Sequence, residues 1–172
     1  PTVVMFTQEK SILNNPAIKA GIKIITVPDD RWKRRDIKTT QLLAQSIAKS
    51  SAVQKGLDDS LLVQDGFINE GSSSNAFIIK EDNIYTPSLS NFILGGITRS
   101  TVIEFCKTKN IQIKEQKIHI DDVMGAQEVF LTSATGFVIP VIEIDGRPVG
   151  NGSVGDKVKE IQKIYLEQIK SK

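Results

Sequence analysis

Sulfur and imidazole are scarce in this sequence, which holds one cysteine, Cys106, and one histidine, His119. A lone cysteine excludes an internal disulfide and sets the expectation of a reducing, cytoplasmic setting. A lone histidine excludes a Ser–His or Cys–His nucleophile pair and a His/Cys metal cluster. His119 is therefore expected only to decorate a strand end. No apolar run approaches the roughly 18 residues of a membrane span, and the opening residues lack a signal-peptide pattern. Formal charge is only +2 with acids and bases interspersed, so the concentrated basic face of a nucleic-acid binder is missing. The one dense basic run, Arg31-Trp32-Lys33-Arg34-Arg35, reads partly as a solvated strand edge and partly as a site wall.

What is present is enough apolar content, 40% of 172 residues, to bury the core of one domain. Pro1 is not an initiator, and Thr2 to Phe6 reads as a strand without a lead-in. The chain is therefore expected to be cut from something longer. A second strand is expected over Ile22 to Val27. Leu42, Leu43, Ile47 and Val53 recur near helical spacing, predicting a helix from Thr40 to about Lys55, stopped by Gly56. Asp65-Gly66, Glu81-Asp82-Asn83 and Asp145-Gly146 mark three hairpin turns. Helices are expected over Thr98 to Lys109 and Asp121 to Ala126, with an alternating strand over Ile111 to Ile118. Two further strands, Val129 to Ser133 and Phe137 to Ile144, precede a terminal amphipathic helix carrying Val158, Ile161, Ile164, Tyr165 and Ile169. Pro140 calls for a bulge or an edge within its strand. These segments predict one α/β domain with a curved, mostly antiparallel sheet and about four helices.

Three short segments carry the chemistry. Lys38 stands just before a helix beside apolar Ile37 and Leu42, where partial desolvation would free its amine for attack on a carbonyl. Glu70 ends a strand and opens the turn Gly71-Ser72-Ser73-Ser74-Asn75. Gly95-Gly96-Ile97-Thr98 opens a helix, whose free N–H groups and dipole favour an anion. Thr132-Ser133-Ala134-Thr135-Gly136 is a second small-residue cluster at a strand end. Singly, each has a bland alternative: a surface lysine, a turn acid, a Thr98 N-cap. Together an amine, an acid and an anion-binding helix end suit pyridoxal 5′-phosphate, which needs a lysine for its aldehyde, an acid for its ring nitrogen and donors for its phosphate.

These motifs resemble the class IV pyridoxal-phosphate aminotransferases. The likeness rests on Asp36-Ile37-Lys38, Glu70-Gly71-Ser72-Ser73-Ser74-Asn75, Thr86-Pro87, Gly96-Ile97-Thr98-Arg99, Phe130-Leu131-Thr132-Ser133 and Pro140 to Gly146. The family includes D-amino-acid and branched-chain aminotransferases and aminodeoxychorismate lyase. Arg31-Trp32 and the triple serine place the resemblance nearest the D-amino-acid branch. It implies a curved pseudo-barrel sheet with flanking helices, the larger C-terminal domain of that fold. Residues 1–20 would be the tail of an interdomain connection, and the N-terminal domain would lie outside this chain.

The resemblance further implies that Lys38 forms the cofactor Schiff base and shuttles the α-proton, while Glu70 pairs with the ring nitrogen. Ser73 and Ser74 would contact the cofactor, and Leu94 would pack on its ring. Gly96, Ile97, Thr98, Ser133 and Ala134 would hold its phosphate. Ala134 replaces a threonine there, Gly95 stands where a lysine often occurs, and Arg35 where a smaller residue is usual. Amino acids and 2-oxo acids are the implied substrates, and a homodimer the implied assembly. Branched-chain L-transamination and aminodeoxychorismate lysis are the alternatives within the family. A folded but inactive fragment, or an unrelated nucleotide binder using the Gly95-Gly96 helix end, are the alternatives outside it.

Overall fold

The structure, a computed structural model, describes residues 2–7, 9 and 14–170. Its elements in chain order begin with α1 (Pro16–Ala20), β1 (Ile22–Pro28), α2 (Leu43–Val53), β2 (Asp59–Gln64) and β3 (Phe67–Gly71). They continue with β4 (Asn75–Lys80), β5 (Asn83–Thr86), α3 (Ile97–Thr108), β6 (Ile113–Glu115), β7 (Ile118–His119) and α4 (Ile120–Met124). The last are β8 (Glu128–Ser133), β9 (Phe137–Ile144), β10 (Arg147–Pro148) and α5 (Asp156–Lys170). The strands form one curled sheet in the order β6-β5-β4-β8-β9-β1-β2-β3-β7, with β10 on β9. Pairing is antiparallel except for β1 with β2, β1 with β9, and β5 with β6. The expected mixed α/β fold, with a curved half-barrel sheet and flanking helices, is the fold observed.

Strand alternation builds two separate cores from the same strands. On β4, Ala76 and Ile78 enter one cluster, and Phe77 and Ile79 the other. On β8, Val129 and Leu131 face the first cluster while Phe130 faces the second. The first core fills the hollow of the curled sheet with Ile24, Leu61, Ile68, Ile118 and Ile144. The second lies under α3 and α5, with Val102, Phe105, Val158 and Ile161. Both faces of β4 are thus covered, which is why its sequence is a continuous apolar run rather than an alternating one. Phe77 and Phe130 are register partners whose rings stack at 4.6 Å.

The three predicted hairpins form, and their turn residues adopt the left-handed backbone that such tight turns require: Asp65 and Gly66, Glu81 and Asp82, Asp145 and Gly146. Pro140 tolerates a central strand because β1 begins to pair with β9 only at Val141, and the register then skips Ile142. α1 was not expected; Asn15 caps it by accepting from the Ala17 amide, and Pro16 opens it.

Two expectations fail, and one expected helix buries a different face from its apolar spacing. Thr2 to Phe6 is no strand: these residues lie outside the sheet, and Val3, Val4, Met5 and Phe6 are largely exposed. An apolar run becomes a strand only when a partner strand pairs with it, and no strand of this sheet pairs with these residues. The helix expected from Thr40 to about Lys55 forms as α2, which packs on the sheet through Ala48 and Ala52 and leaves Leu42, Leu43, Ile47 and Val53 exposed. The single strand expected over Ile111 to Ile118 is broken at Gln116 and Lys117 into β6 and β7, which lie at opposite ends of the sheet. His119 does end a strand, and its ring also caps α4 by accepting from the Asp121 amide. No helix among the described residues is long and apolar enough to cross a membrane.

Phe130→Ala removes a fully buried ring shared by β8 and its stacked neighbour. It is expected to cost about 3–5 kcal/mol, read as a lowered urea midpoint at unchanged slope.

Candidate active site

One cavity of about 530 Å³ lies where the loop after β1, the β3–β4 turn, the start of α3 and the end of β8 converge. All ten residues singled out as a site line it: Lys38, Glu70, Ser73, Ser74, Leu94, Gly96, Ile97, Thr98, Ser133 and Ala134. A larger cavity of about 610 Å³ adjoins it, sharing Arg31, Trp32, Leu42 and Gln45 in its lining. That cavity is walled mainly by apolar residues of α2 and β1 and lacks the amine, the buried acid and the helix end. The chemistry therefore belongs to the first.

Glu70 is tightly constrained in the cavity, with only 4% of its surface exposed. Its Oε1 accepts from Arg31 through a short ion pair, and Oε2 accepts from Asn75 Nδ2 at 3.0 Å and from the Leu94 amide at 3.2 Å. Burial pushes its carboxyl above the ordinary value, and Arg31 and the Leu94 amide oppose this without reversing it. Arg31 in turn grips Asp29 with Nε and Nη2, both at 2.8 Å. Asp29 is also desolvated, which alone would raise its carboxyl. Donation from Arg31 and Asn69 outweighs this and holds it below the usual aspartate value.

Asn75 Nδ2 also donates to the Leu94 carbonyl at 2.8 Å, tying the segment before α3 to the β3–β4 turn. Gly96 is the N-cap of α3 and supplies no side-chain cap, contrary to the reading of Thr98 as that cap. The first amides of the helix, at Ile97 and Thr98, are thereby left for another acceptor. On the facing wall, Ser133 Oγ accepts from the Gly136 amide at 3.0 Å. Ser74 Oγ and Thr132 Oγ1 are buried and have no partner. The turn that carries Ser133 ends in Phe137, a bulky residue at φ 58° whose ring lies 5.5 Å from that of Tyr165 on α5.

Lys38 differs from expectation. Its side chain is exposed at the cavity wall rather than desolvated, because Ile37 and Leu42 are themselves about half exposed and cover nothing. Arg31, Asn75 and Thr132 were read only as members of a site wall and of two small-residue clusters, without roles of their own. Arg31 was visible only as part of a basic run, and nothing in its spacing from Glu70 announces their ion pair. Among the described residues no group of three or more His, Cys, Asp or Glu could hold a metal ion. The donor set instead suits an anionic heteroaromatic: an amine, a carboxylate with spare acceptor capacity, uncapped helix amides and partnerless hydroxyls.

A family model described as amino-transferase class IV matches residues 1–144. D-alanine aminotransferase of Bacillus licheniformis is 38% identical over 151 residues, covering 88% of this chain and 53% of that protein. D-alanine aminotransferase of Staphylococcus epidermidis is 34% identical over 173 residues, covering 99% of this chain and 60% of that protein. Among solved structures, a T.th. branched-chain amino acid aminotransferase with pyridoxamine 5′-phosphate superposes with a TM-score of 0.82. It is 30% identical and covers 93% of this chain and 54% of that one. The Escherichia coli branched-chain enzyme gives 0.78 at 28% identity, covering 88% of this chain and 53% of that one. The chain thus spans about half the length of the curated relatives it matches.

Two outcomes follow from this geometry. A Cβ at Gly96 would fall inside the van der Waals shell of Asn75 Oδ1, so Gly96→Ala must displace the residue that holds Glu70. Inorganic phosphate and pyridoxal phosphate should both bind it more weakly, by at least about tenfold, in calorimetric titration. Asp29→Asn leaves Glu70 as the one buried counter-charge beside Arg31 and Arg35 and is expected to cost about 3–5 kcal/mol at neutral pH. The Asp29 carboxyl is depressed in the fold, so its stabilisation is present above the ordinary aspartate value of 3.8 and lost as pH falls through the lower folded value. The variant should therefore show a shallower fall of urea midpoint below about pH 4 than the parent chain.

Proposed function

We propose, from the premise that this chain belongs to the class IV aminotransferases, that it is the cofactor-anchoring domain of a pyridoxal-phosphate enzyme. The enzyme moves an amino group from a D-amino acid of the D-alanine type to a 2-oxo acid. The whole of 1–172 is read as that domain, with 1–20 leading in from a preceding one. The observation that carries the reading is the convergence of Lys38, Glu70 and the Ile97 and Thr98 amides on one cavity. The D-alanine preference rests on curated relatives at 34–38% identity.

Bound pyridoxal phosphate supplies an aldehyde for amines and an electron-withdrawing ring that makes an amino acid's α-proton removable. The rest is the work of the chain. The Ile97 and Thr98 amides, the Thr98 hydroxyl and the partnerless Ser74 and Thr132 hydroxyls would hold the phosphate, aided by the Ser133 wall. With Ala134 in that wall, only its backbone amide is available beside Ser133. Leu94 would pack against the ring. Glu70 would accept a hydrogen bond from the protonated ring nitrogen, its negative charge keeping the proton on that nitrogen. Lys38 Nζ would bind the cofactor's aldehyde group at rest and, once a substrate amine displaces it, would take and return the proton at the substrate's α-carbon. One amine serves both transfers because removal and return share a single geometry.

Leu43 and Ile47 on the outward face of α2 are more than half exposed, which supports assembly, proposed as a homodimer, over that apolar surface. The lone cysteine, Cys106, is buried with its thiol pushed up to about 11, in keeping with a cytoplasmic protein that uses no thiol chemistry. Because the relatives are about twice as long, the chain alone is proposed to bind the cofactor without completing turnover. The structural neighbours favour branched-chain L-amino acids as the second reading of substrate.

Borohydride treatment after incubation with pyridoxal phosphate should fix one adduct on the peptide containing Lys38, seen by mass spectrometry. Lys38→Ala should give no fixed adduct while still binding inorganic phosphate, and an adduct on another lysine would refute the assignment. A protein of the relatives' full length should turn over D-alanine in preference to L-leucine and aminodeoxychorismate. The reverse order would move the substrate to the second reading.

A further inference from the structure

Arg31 and Arg35 enter the site from one loop, yet the reaction gives neither a role. Glu70 and Asp29 carry two negative charges and the arginines two positive ones, so this buried group of four is neutral. Its parts are not equivalent. Arg31 uses Nε and Nη2 on Asp29 and keeps Nη1 for Glu70. Arg35 places Nη2 on the carbonyls of Asp29 and Arg31, at 3.1 and 3.0 Å, and Nη1 on Gln64 at 2.8 Å. Its guanidinium also lies 5.1 Å from the Phe92 ring centre, and its amide donates to the Asn91 carbonyl at 2.8 Å. Arg35 therefore fixes the backbone that presents Arg31, and ties it to the segment whose Leu94 amide also reaches Glu70.

A carboxylate offers about four lone-pair sites, and Glu70 spends three of them on Arg31, Asn75 and Leu94. The residue lines the cavity, so one acceptor site is left for a bound group. We propose that Arg31 is a positioning residue that keeps Glu70 ionised with that fourth site turned to the cavity, and that Arg35 is the clamp that holds Arg31 to the task. The inference rests on the reading of Glu70 as partner of the ring nitrogen and deepens it. Among the described residues, the charged groups around Glu70 are Arg31, Asp29 and Arg35 from the loop, with Lys38 on the same cavity. β3 and β4 contribute only neutral partners to this group, Asn69 to Asp29 and Asn75 to Glu70.

The test uses the ligand-free chain first. With ¹³C-carboxyl-labelled glutamate, the Glu70 resonance is identified by its loss in Glu70→Gln and titrated with pH. Arg31→Gln should raise its proton affinity by at least about tenfold, and Arg35→Met should raise it by a smaller factor. An unmoved midpoint in Arg31→Gln, with native far-UV circular dichroism, overturns the proposal. If that variant does not fold, Arg31→Lys decides: it keeps the charge and loses the fork, so a midpoint raised by at least about threefold in affinity supports the role and none overturns it.

A second readout is pyridoxal phosphate affinity, followed through Trp32, the one tryptophan, which lines the cavity. Arg31→Gln should weaken it by about tenfold while leaving inorganic phosphate binding within about twofold, since Arg31 acts at the Glu70 end. Equal weakening of both ligands would mark a general loss of structure and count against the proposal. Should Glu70→Gln leave pyridoxal phosphate affinity unchanged, the ring-nitrogen reading fails, and the carboxyl titration still judges Arg31 alone.

Discussion

A carboxylate shut away from water must be compensated or it will take up a proton, and the compensation of Glu70 organises the region around it. Three otherwise separate stretches of backbone are fixed by that need: the loop that delivers Arg31, the turn that delivers Asn75 and the segment that delivers the Leu94 amide. Asn75 performs two of these duties at once, since the same amide nitrogen also holds the Leu94 carbonyl. The start of α3 is thereby placed beside the acid. The separation between the uncapped helix end and the acid is then set by the protein. A site of this kind is specified by its polar connections more than by the shape of its walls.

Beneath the site, the curled sheet supplies rigidity in an economical way. β4 and β8 each send alternate residues to opposite sides, so two cores share their strands and every buried side chain braces the other layer through the backbone. The stacked pair Phe77 and Phe130 lies in the core under the helices, a few residues from Asn75 and Thr132, which are themselves register partners at the cavity. Packing and chemistry thus occupy the same two strands at different heights. Large-to-small changes in either core should be transmitted along the strands to the polar groups at their ends.

Local signals were the legible part of the sequence. Asp65-Gly66, Glu81-Asp82 and Asp145-Gly146 specify tight turns because few residues accept a left-handed backbone, and all three adopt it. The glycines before α3 and the small residues after Glu70 marked the cavity walls for the same short-range reason. What stayed hidden depends on partners far along the chain. The hydrophobicity of Thr2 to Phe6 cannot say that no sheet edge receives it. Leu43 and Ile47 repeat at helical spacing, yet the helix packs through Ala48 and Ala52, where close approach to β2 matters more than apolar bulk. Arg31 and Glu70 are 39 positions apart, and only the folded loop brings them together. The split of the stretch after Ile111 into β6 and β7 is likewise invisible locally, since each half is drawn to a different end of the sheet.

Phe137 bends the chain into a conformation that side chains of its size rarely adopt, and its ring rests against Tyr165 of the terminal helix. Backbone tension at that corner is thus underwritten by an aromatic contact with an element that does not border the cavity. The orientation of the Ser133 hydroxyl, anchored on the neighbouring Gly136 amide, becomes a property of the last fifteen-residue helix as much as of its own strand. Replacing the buried Tyr165, outside the cavity, thereby bears on how its far rim is shaped.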